Sequence, residues 1–146
     1  MQTIIGKEFP TKVIPLIDGA KHEIKVMVFD WRWYTHDAGC SVQLFNQAIV
    51  RAKKRGVKIK AIANVYEVLE VLRNQGCLVK KLHSLKLMHV KMLIVDNDTI
   101  VIGSHNYTQK AFTVNFEISV ILKRMAENAE EMDRLNEFFD FQFACN

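Results

Sequence analysis

The chain has 146 residues, enough for one domain with a single sizeable hydrophobic core. Hydrophobic residues make up 49% and charged residues 25%, the profile of a soluble globular protein, and no apolar run approaches the roughly 18 residues needed to span a bilayer. The formal net charge of +4 favours anionic partners, either nucleic acid or acidic lipid, without choosing between them.

The three cysteines, Cys40, Cys77 and Cys145, are widely spaced and form no CxxC pair, which argues against a zinc knuckle and against a redox dithiol. Free thiols of this kind favour a reducing, cytoplasmic location. Residues 1–8 lack the apolar core of a signal peptide, which agrees with that location. We therefore expect a cytoplasmic protein without stable membrane insertion.

The first half of the chain alternates between helix and strand patterns. In chain order these predict a helix over residues 11–20, a strand over 22–31, a helix over 41–55, a strand over 57–63, a helix between Asn64 and Gly76, and a strand over 78–82. Strand–helix–strand–helix–strand is typical of a parallel sheet with right-handed crossovers.

The rhythm changes in the second half. Residues 89–95, 99–106 and 116–123 predict strands joined by loops, and residues 125–144 predict a closing helix. No repeat or linker divides the chain. We therefore expect one domain over residues 1–146, an α/β fold with a mixed, mostly parallel β-sheet and helices on both faces.

Four polar residues stand out in the stretch MHVKMLIVDNDTIVIGSHN. Side chains on a strand alternate between faces, so His89 and Lys91 are predicted to share one face. If residues 97–98 form a two-residue hairpin loop, Lys91 lies opposite Ser104 and His89 lies opposite Asn106. This register, which a three-residue loop would shift by one, predicts that the four side chains converge on one patch.

Such a patch suits a phosphoryl group. Lys91 supplies a compact positive charge, and Ser104 and Asn106 supply neutral donors, for oxygens that gain charge in the transition state. An imidazole beside them could attack phosphorus directly or shuttle a proton. The aspartates at the predicted turn are remote from His89, so the layout requires neither a metal ion nor another cofactor.

The motif resembles the HKD signature of the phospholipase D superfamily in the run His89-x-Lys91-x4-Asp96-x6-Gly103-Ser104-x-Asn106. Six fixed residues at about 5% usage each give a chance match of about 10⁻⁸ per starting position. Upstream, the helix that ends at Gly56 and the strand VKIKAIA also resemble the superfamily. Downstream, the segment 115–117 resembles its acidic position, so the resemblance covers about residues 10–123.

The resemblance implies a metal-independent phosphodiesterase with the phospholipase D-like fold. Members usually carry two HKD motifs that form one active site, whereas this chain has a single His-x-Lys pair. It is similar to single-motif members that are homodimers with the site at the two-fold interface. By this resemblance one His89 attacks phosphorus to give a phosphohistidine, the second His89 protonates the leaving oxygen, and Glu117 orients the histidine.

Two further residues of the motif have supporting roles in this interpretation. Asp96 has the opposite parity to His89, and an aspartate at a strand end ordinarily bonds local backbone amides, which favours a structural role over a catalytic one. Gly103 would let another chain or a ligand approach the backbone. The other histidines, His22, His36, His83 and His105, are expected to be surface or packing residues.

Nucleic-acid contacts are proposed for four more residues. Tyr107 and Trp33 could stack on bases, and Lys54 and Arg55 belong to a basic run that could meet phosphates. Core or interface packing of the aromatic residues and a solvated helix end for the basic ones remain open alternatives.

Three functions are compatible with these residues. The first is an endonuclease that hydrolyses DNA or RNA as a homodimer with a shared active site. The second keeps the chemistry but acts on a phospholipid diester of the cardiolipin type, for which the sequence offers no convincing docking segment. The third, a non-catalytic nucleic-acid-binding module, is disfavoured because both His89 and Lys91 are present.

Overall fold

The computed structural model describes residues 1–146, which form seven strands, five helices and one 3-10 turn at Gly6–Glu8. The strands are β1 (Gln2–Ile5), β2 (Glu23–Val28), β3 (Lys58–Ala63), β4 (Leu78–Lys80), β5 (Lys91–Val95), β6 (Thr99–Gly103) and β7 (Ile118–Lys123). The helices are α1 (Phe9–Asp18), α2 (Ser41–Lys54), α3 (Tyr66–Asn74), α4 (Gln109–Thr113) and α5 (Ala129–Ala144).

All seven strands form one mixed sheet in the order β1-β7-β6-β5-β2-β3-β4. The predicted α/β fold class with a mixed sheet is confirmed. Parallel pairing is confined to β2–β3 and β3–β4, and the other four pairs are antiparallel, so the sheet is less parallel than we expected. The physical reason lies in the second half, where β5 and β6 are joined by a tight hairpin that only antiparallel strands accept.

Helices cover both faces of the sheet. On one face α1 to α4 bury a large cluster that includes Trp31, Phe45 and Phe112, and on the other face α5 buries Met132 and Phe139 against the sheet. Every residue of β2 after its first is buried. A central strand covered on both sides therefore loses the alternating pattern of a half-exposed one.

A buried charge fixes the position of α5. Lys25 of β2 is only 3% exposed, and its Nζ lies 2.8 Å from Asp140 Oδ1 and 3.2 Å from Asn136 Oδ1, both on α5. A buried ammonium is tolerated only when it is paired, so these contacts set where the helix lies along the sheet. No helix in the structure combines the length and apolar character required to cross a bilayer.

The β5–β6 hairpin differs from the predicted register. Observed pairs such as Met92 with Ile102 and Val95 with Thr99 have numbers that sum to 194, so the loop has three residues, 96–98. Asp96 and Asn97 adopt positive φ angles of 53° and 54°, which these two residue types tolerate better than most. The predicted pairings of Lys91 with Ser104 and of His89 with Asn106 are therefore wrong.

Several element boundaries also moved. The first helix starts at Phe9, two residues before the expected cap, and Pro10 occupies its first turn, where a missing N–H costs little. Strand β5 starts at Lys91, so His89 lies just before the strand. The short elements β1 and α4 were not predicted.

Candidate active site

His89 lies at one end of the strands, where β2 ends and β5 begins. This strand end, at which β3 also ends, is called the His89 end of the sheet. Lys91 pairs with Val28, the last residue of β2, and the N–H of Phe29 donates to Val90 O at 2.9 Å. The ring of Phe29 lies 4.9 Å from the His89 ring. Asn64, which follows β3, donates from Nδ2 to Met88 O at 3.1 Å. The ends of two neighbouring strands thus fix the backbone and one side of the exposed imidazole.

Lys91 and His89 contact each other directly. The Nζ of Lys91 lies 2.9 Å from Nδ1 and 3.2 Å from Nε2 of His89, and it donates to His89 O at 2.8 Å. An ammonium group only donates, and the tautomer of the imidazole decides which ring nitrogen accepts from it. Burial lowers the pKa of Lys91, and the negative charge of Glu117 partly opposes that shift. The pair therefore places the positive charge of Lys91 directly against the imidazole ring of His89.

The second part of the site lies at the ends of β6 and β7. Ser104 donates a very short hydrogen bond to Glu117 Oε2, and its own Oγ accepts from the N–H of Ile118 at 3.0 Å. Asn115 Nδ2 donates to the other oxygen of Glu117 at 3.3 Å. The resemblance implies that Glu117 orients His89, but in this structure its carboxylate contacts Ser104 and Asn115 and influences Lys91 only through its charge.

Asn106 is tied to the loop that follows β2. Its Oδ1 accepts from the N–H of Asp30 at 3.2 Å, so the side-chain NH2 group is the part that remains available as a donor. Backbone bonds reinforce this connection, because Tyr107 N–H donates to Asp30 O at 2.9 Å and Arg32 N–H donates to Tyr107 O at 3.0 Å. The loop after β2 therefore holds both His89, through Phe29, and Asn106.

Gly103 allows a close approach of β7. A Cβ at this position would overlap Cα and Oγ of Ser119 and the carbonyl oxygen of Ile118. The expected approach to the backbone is therefore made by a strand of the same chain. The next residue but one, His105, is buried, donates from Nε2 to Gly6 O at 2.8 Å, and accepts at Nδ1 from Ser119 Oγ at 2.7 Å.

Asp96 lies at the other end of β5 from His89. The five residues of β5 separate it from the site by about 17 Å at the usual rise of a strand. Its carboxylate accepts from the backbone N–H groups of Lys21, His22 and Glu23 at 2.8–2.9 Å. This geometry ties the β5–β6 turn to the start of β2.

Three of the four predicted nucleic-acid contacts do not lie where a substrate would meet them. Tyr107 is 1% exposed and packs among Phe9, Phe45 and other core aromatic rings, and burial strongly raises its pKa. Lys54 and Arg55 precede β3 and therefore lie at the end of the strands away from His89. Arg55 donates there to the carbonyl oxygens of Ile17 and Ala20, at the end of α1. Trp33 is partly buried and lies on the loop that follows β2, at the same end of the strands as His89.

Sequence reasoning missed Asn64, Phe29 and Asn115. Phe29 follows β2, Asn64 follows β3 and Asn115 lies on the loop that precedes β7, so all three lie at the end of the strands that carries His89. Position at a strand end was the available signal, because sites in α/β sheets form where strands end. No group of three or more His, Cys, Asp or Glu side chains is arranged to hold a metal ion.

Comparison with known proteins gives a consistent classification. A family model described as the cardiolipin synthase PLD-like domain matches residues 13–140. A probable phospholipase D of Caenorhabditis elegans is 28% identical over an alignment of 124 residues, and the match covers 75% of this chain but only 22% of that protein. The chain thus spans about a fifth of the length of the curated relative it matches.

Solved structures share the fold. Nuc of Salmonella typhimurium, a phospholipase D family member, superposes with a TM-score of 0.80 at 24% identity over 98% of this chain and 94% of Nuc. NucT of Helicobacter pylori gives 0.79 at 18% identity with the same coverage. Phosphatidylserine synthase of Haemophilus influenzae gives 0.72 at 11% identity, with 97% of this chain but 38% of the synthase covered.

The fold and the family model point to the same class of protein, one built on a phospholipase D-like domain. Since the family model matches most of its length, the chain belongs to the phospholipase D superfamily.

Proposed function

We propose that the chain is a metal-independent phosphodiesterase, an endonuclease on DNA or RNA, whose active site is shared by two copies. The observation that carries the proposal is the contact between Lys91 Nζ and the His89 ring at 2.9 Å. It places a compact positive charge beside an imidazole that can act as a nucleophile, an arrangement that suits attack on an anionic phosphodiester.

In the proposed reaction, a ring nitrogen of His89 attacks phosphorus and the bond from phosphorus to the leaving oxygen breaks. The partner's His89 donates the proton to that oxygen. Water then attacks the phosphohistidine, gives up a proton to the partner's His89, and releases the phosphate monoester with a free His89. Lys91 and the NH2 group of Asn106 would stabilise the non-bridging oxygens in both steps.

The homodimer is part of the proposal because each chain carries one His-x-Lys pair. Large apolar side chains flank the site on loops of both halves: Phe116 is 106% exposed and Leu85 is 108% exposed relative to a reference residue. A second copy that packed over these side chains would remove their apolar surface from water. An isologous interface at the end of the strands that carries His89 would bring the two His89 side chains together.

The nuclease assignment is supported by the extent of the structural matches. Nuc and NucT, whose names denote nucleases, align over 94% of their length, whereas the lipid synthase aligns over 38%. The net charge of +4 also suits a polyanionic substrate.

A phospholipid diester is the second candidate. Leu85 and Leu87, which are 108% and 71% exposed, lie beside His89 on a loop that also carries Lys81 and Lys86. Exposed leucines among lysines are the composition of a segment that docks on an anionic membrane.

The test is hydrolysis of plasmid, single-stranded oligonucleotide and cardiolipin vesicles in excess EDTA. We expect cleavage of nucleic acid without metal, a loss of about 10²–10³-fold in Lys91→Met, and no turnover in His89→Ala. His83→Ala is the matched control, because His83 is an exposed histidine on the adjacent loop. Activity abolished by EDTA, or retained in His89→Ala, would refute the mechanism, and turnover of vesicles alone would support the lipid candidate.

A further inference from the structure

A cavity of about 280 Å³ opens beside His89 on the face of the sheet that α5 covers. Its walls are mainly apolar, with Leu82, Met88 and Phe138 among them, and its rim carries Lys86 and Gln142. Because His89 itself lines this space, a group bound there would lie next to a phosphate under attack. We call it the His89 cavity.

One wall of the His89 cavity is held in place by contacts between the β4–β5 loop and the end of α5. The N–H of His83 on the loop donates to Asn146 Oδ1 at 3.0 Å, and Asn146 Nδ2 donates to Gln142 O at 2.7 Å. The ion pair between Lys25 and Asp140 holds the same helix against the sheet. The cavity is therefore bounded by elements that are tied together, as a preformed ligand pocket is.

We propose that the His89 cavity binds the base of a nucleotide adjacent to the scissile phosphate. The inference rests on the proposed nuclease function and adds a base subsite to it. The volume is close to the lower end for ligand pockets, which suits one ring system. Apolar side chains can pack on the faces of a base, while its edge needs hydrogen-bonding groups.

Gln142 supplies such groups. Its backbone carbonyl is engaged by Asn146, whereas its side-chain amide keeps a donor and an acceptor for the edge of a base. Lys86 adds a positive charge at the rim, where the phosphate of the bound nucleotide would lie. An acyl chain would use neither group, so the mixed lining favours a base over a lipid tail.

The experiment compares two diesters that share one leaving group. Thymidine 5′-(4-nitrophenyl phosphate) carries a base, and 1,2-dideoxyribose 5-(4-nitrophenyl phosphate) carries the same sugar without one, so their ratio of kcat/KM isolates the contribution of the base. We expect a ratio of about tenfold or more in the wild-type protein, the size associated with one stacked base. In Phe138→Ala and Gln142→Leu the ratio should fall toward one, mainly through KM. Phe141→Ala is the control, because Phe141 is 65% exposed on the same helix but does not line the cavity.

The outcomes separate this inference from the proposed function. Equal hydrolysis of both esters by the wild-type protein would overturn the base subsite and leave the phosphodiesterase intact, whereas no hydrolysis of either ester would overturn both. Conversion of a dimer to a monomer by Phe138→Ala but not by Phe141→Ala would assign the cavity to an interface instead. Competition by cardiolipin vesicles that Phe138→Ala abolishes would assign it to a lipid.

Discussion

Replacement of Asp96 by asparagine is expected to destabilise the fold without removing a catalytic group. Oδ1 of Asp96 accepts from two backbone N–H groups, those of His22 and Glu23, and Oδ2 accepts from that of Lys21. Asparagine keeps one carbonyl oxygen but loses the charge and the acceptor for Lys21. A hydrogen bond to a charged group contributes about 1.5–3 kcal/mol, so we expect the free energy of unfolding to fall by about 2 kcal/mol.

The effect should depend on pH in a defined direction. Burial alone would raise the pKa of Asp96, but the hydrogen bonds from Glu23, Lys21 and His22 together outweigh it and hold the pKa below its usual value. A carboxylate with a lowered pKa stabilises the folded state above the unfolded pKa of about 3.9 and loses that contribution as the pH falls through the folded pKa. The difference between wild type and Asp96→Asn should therefore be full at pH 7 and shrink below about pH 4.

Urea unfolding followed by tryptophan fluorescence measures this difference at each pH. Asp98→Asn is the control, because Asp98 belongs to the same three-residue loop and is exposed. Hydrolysis per folded molecule should match the wild-type value in both variants. An Asp96→Asn protein that unfolds at the wild-type urea concentration but has lost hydrolysis would refute a structural role and place Asp96 against the substrate.

Three further changes test other parts of the structure. Gly103→Ala should lower the free energy of unfolding by about 1–3 kcal/mol because the new Cβ overlaps β7, whereas Gly39→Ala, which meets open space, should not; thermal unfolding of both checks this. Burial lowers the pKa of His105, so wild-type stability should fall as the pH drops below about 6.5, and His105→Gln should flatten that slope in urea unfolding. Burial raises the pKa of Cys77 to about 11, so a thiol reagent at pH 8 should modify exposed Cys145 rapidly and Cys77 only after unfolding, as mass mapping would show.

The long elements were predictable because their burial leaves a periodic pattern. Residues of α2 such as Val42, Phe45, Ala48 and Ile49 recur at helical spacing and are all fully buried. The strand β1 and the helix α4 have four and five residues, too few for a period to show. Each is specified by a partner instead, β1 by pairing with β7 and α4 by the cap that Thr108 provides.

Burial of single side chains was less predictable. Tyr107 follows Asn106 directly, and proximity along the chain favoured a place in the site, but the backbone pairing with Trp31 directs its ring into the core. Lys54 and Arg55 are basic residues at a helix end, and only the topology shows that this end lies across the sheet from His89. Charge and aromatic character therefore indicate a type of contact, while the strand order decides where it is made.

The observed register of the β5–β6 hairpin shows that the site is assembled from strand ends and not from cross-strand pairs. His89 precedes β5, Ser104 follows β6 and Glu117 precedes β7. Because these neighbouring strands alternate in direction, all three positions fall at the same end of the strands. A shift of one residue between β5 and β6 changes which side chains oppose each other within the strands but leaves these ends together. The influence of Glu117 on the pKa of Lys91 reflects that proximity. The spacing of the motif is thus set by two five-residue strands and a three-residue loop, not by cross-strand pairing of its polar residues.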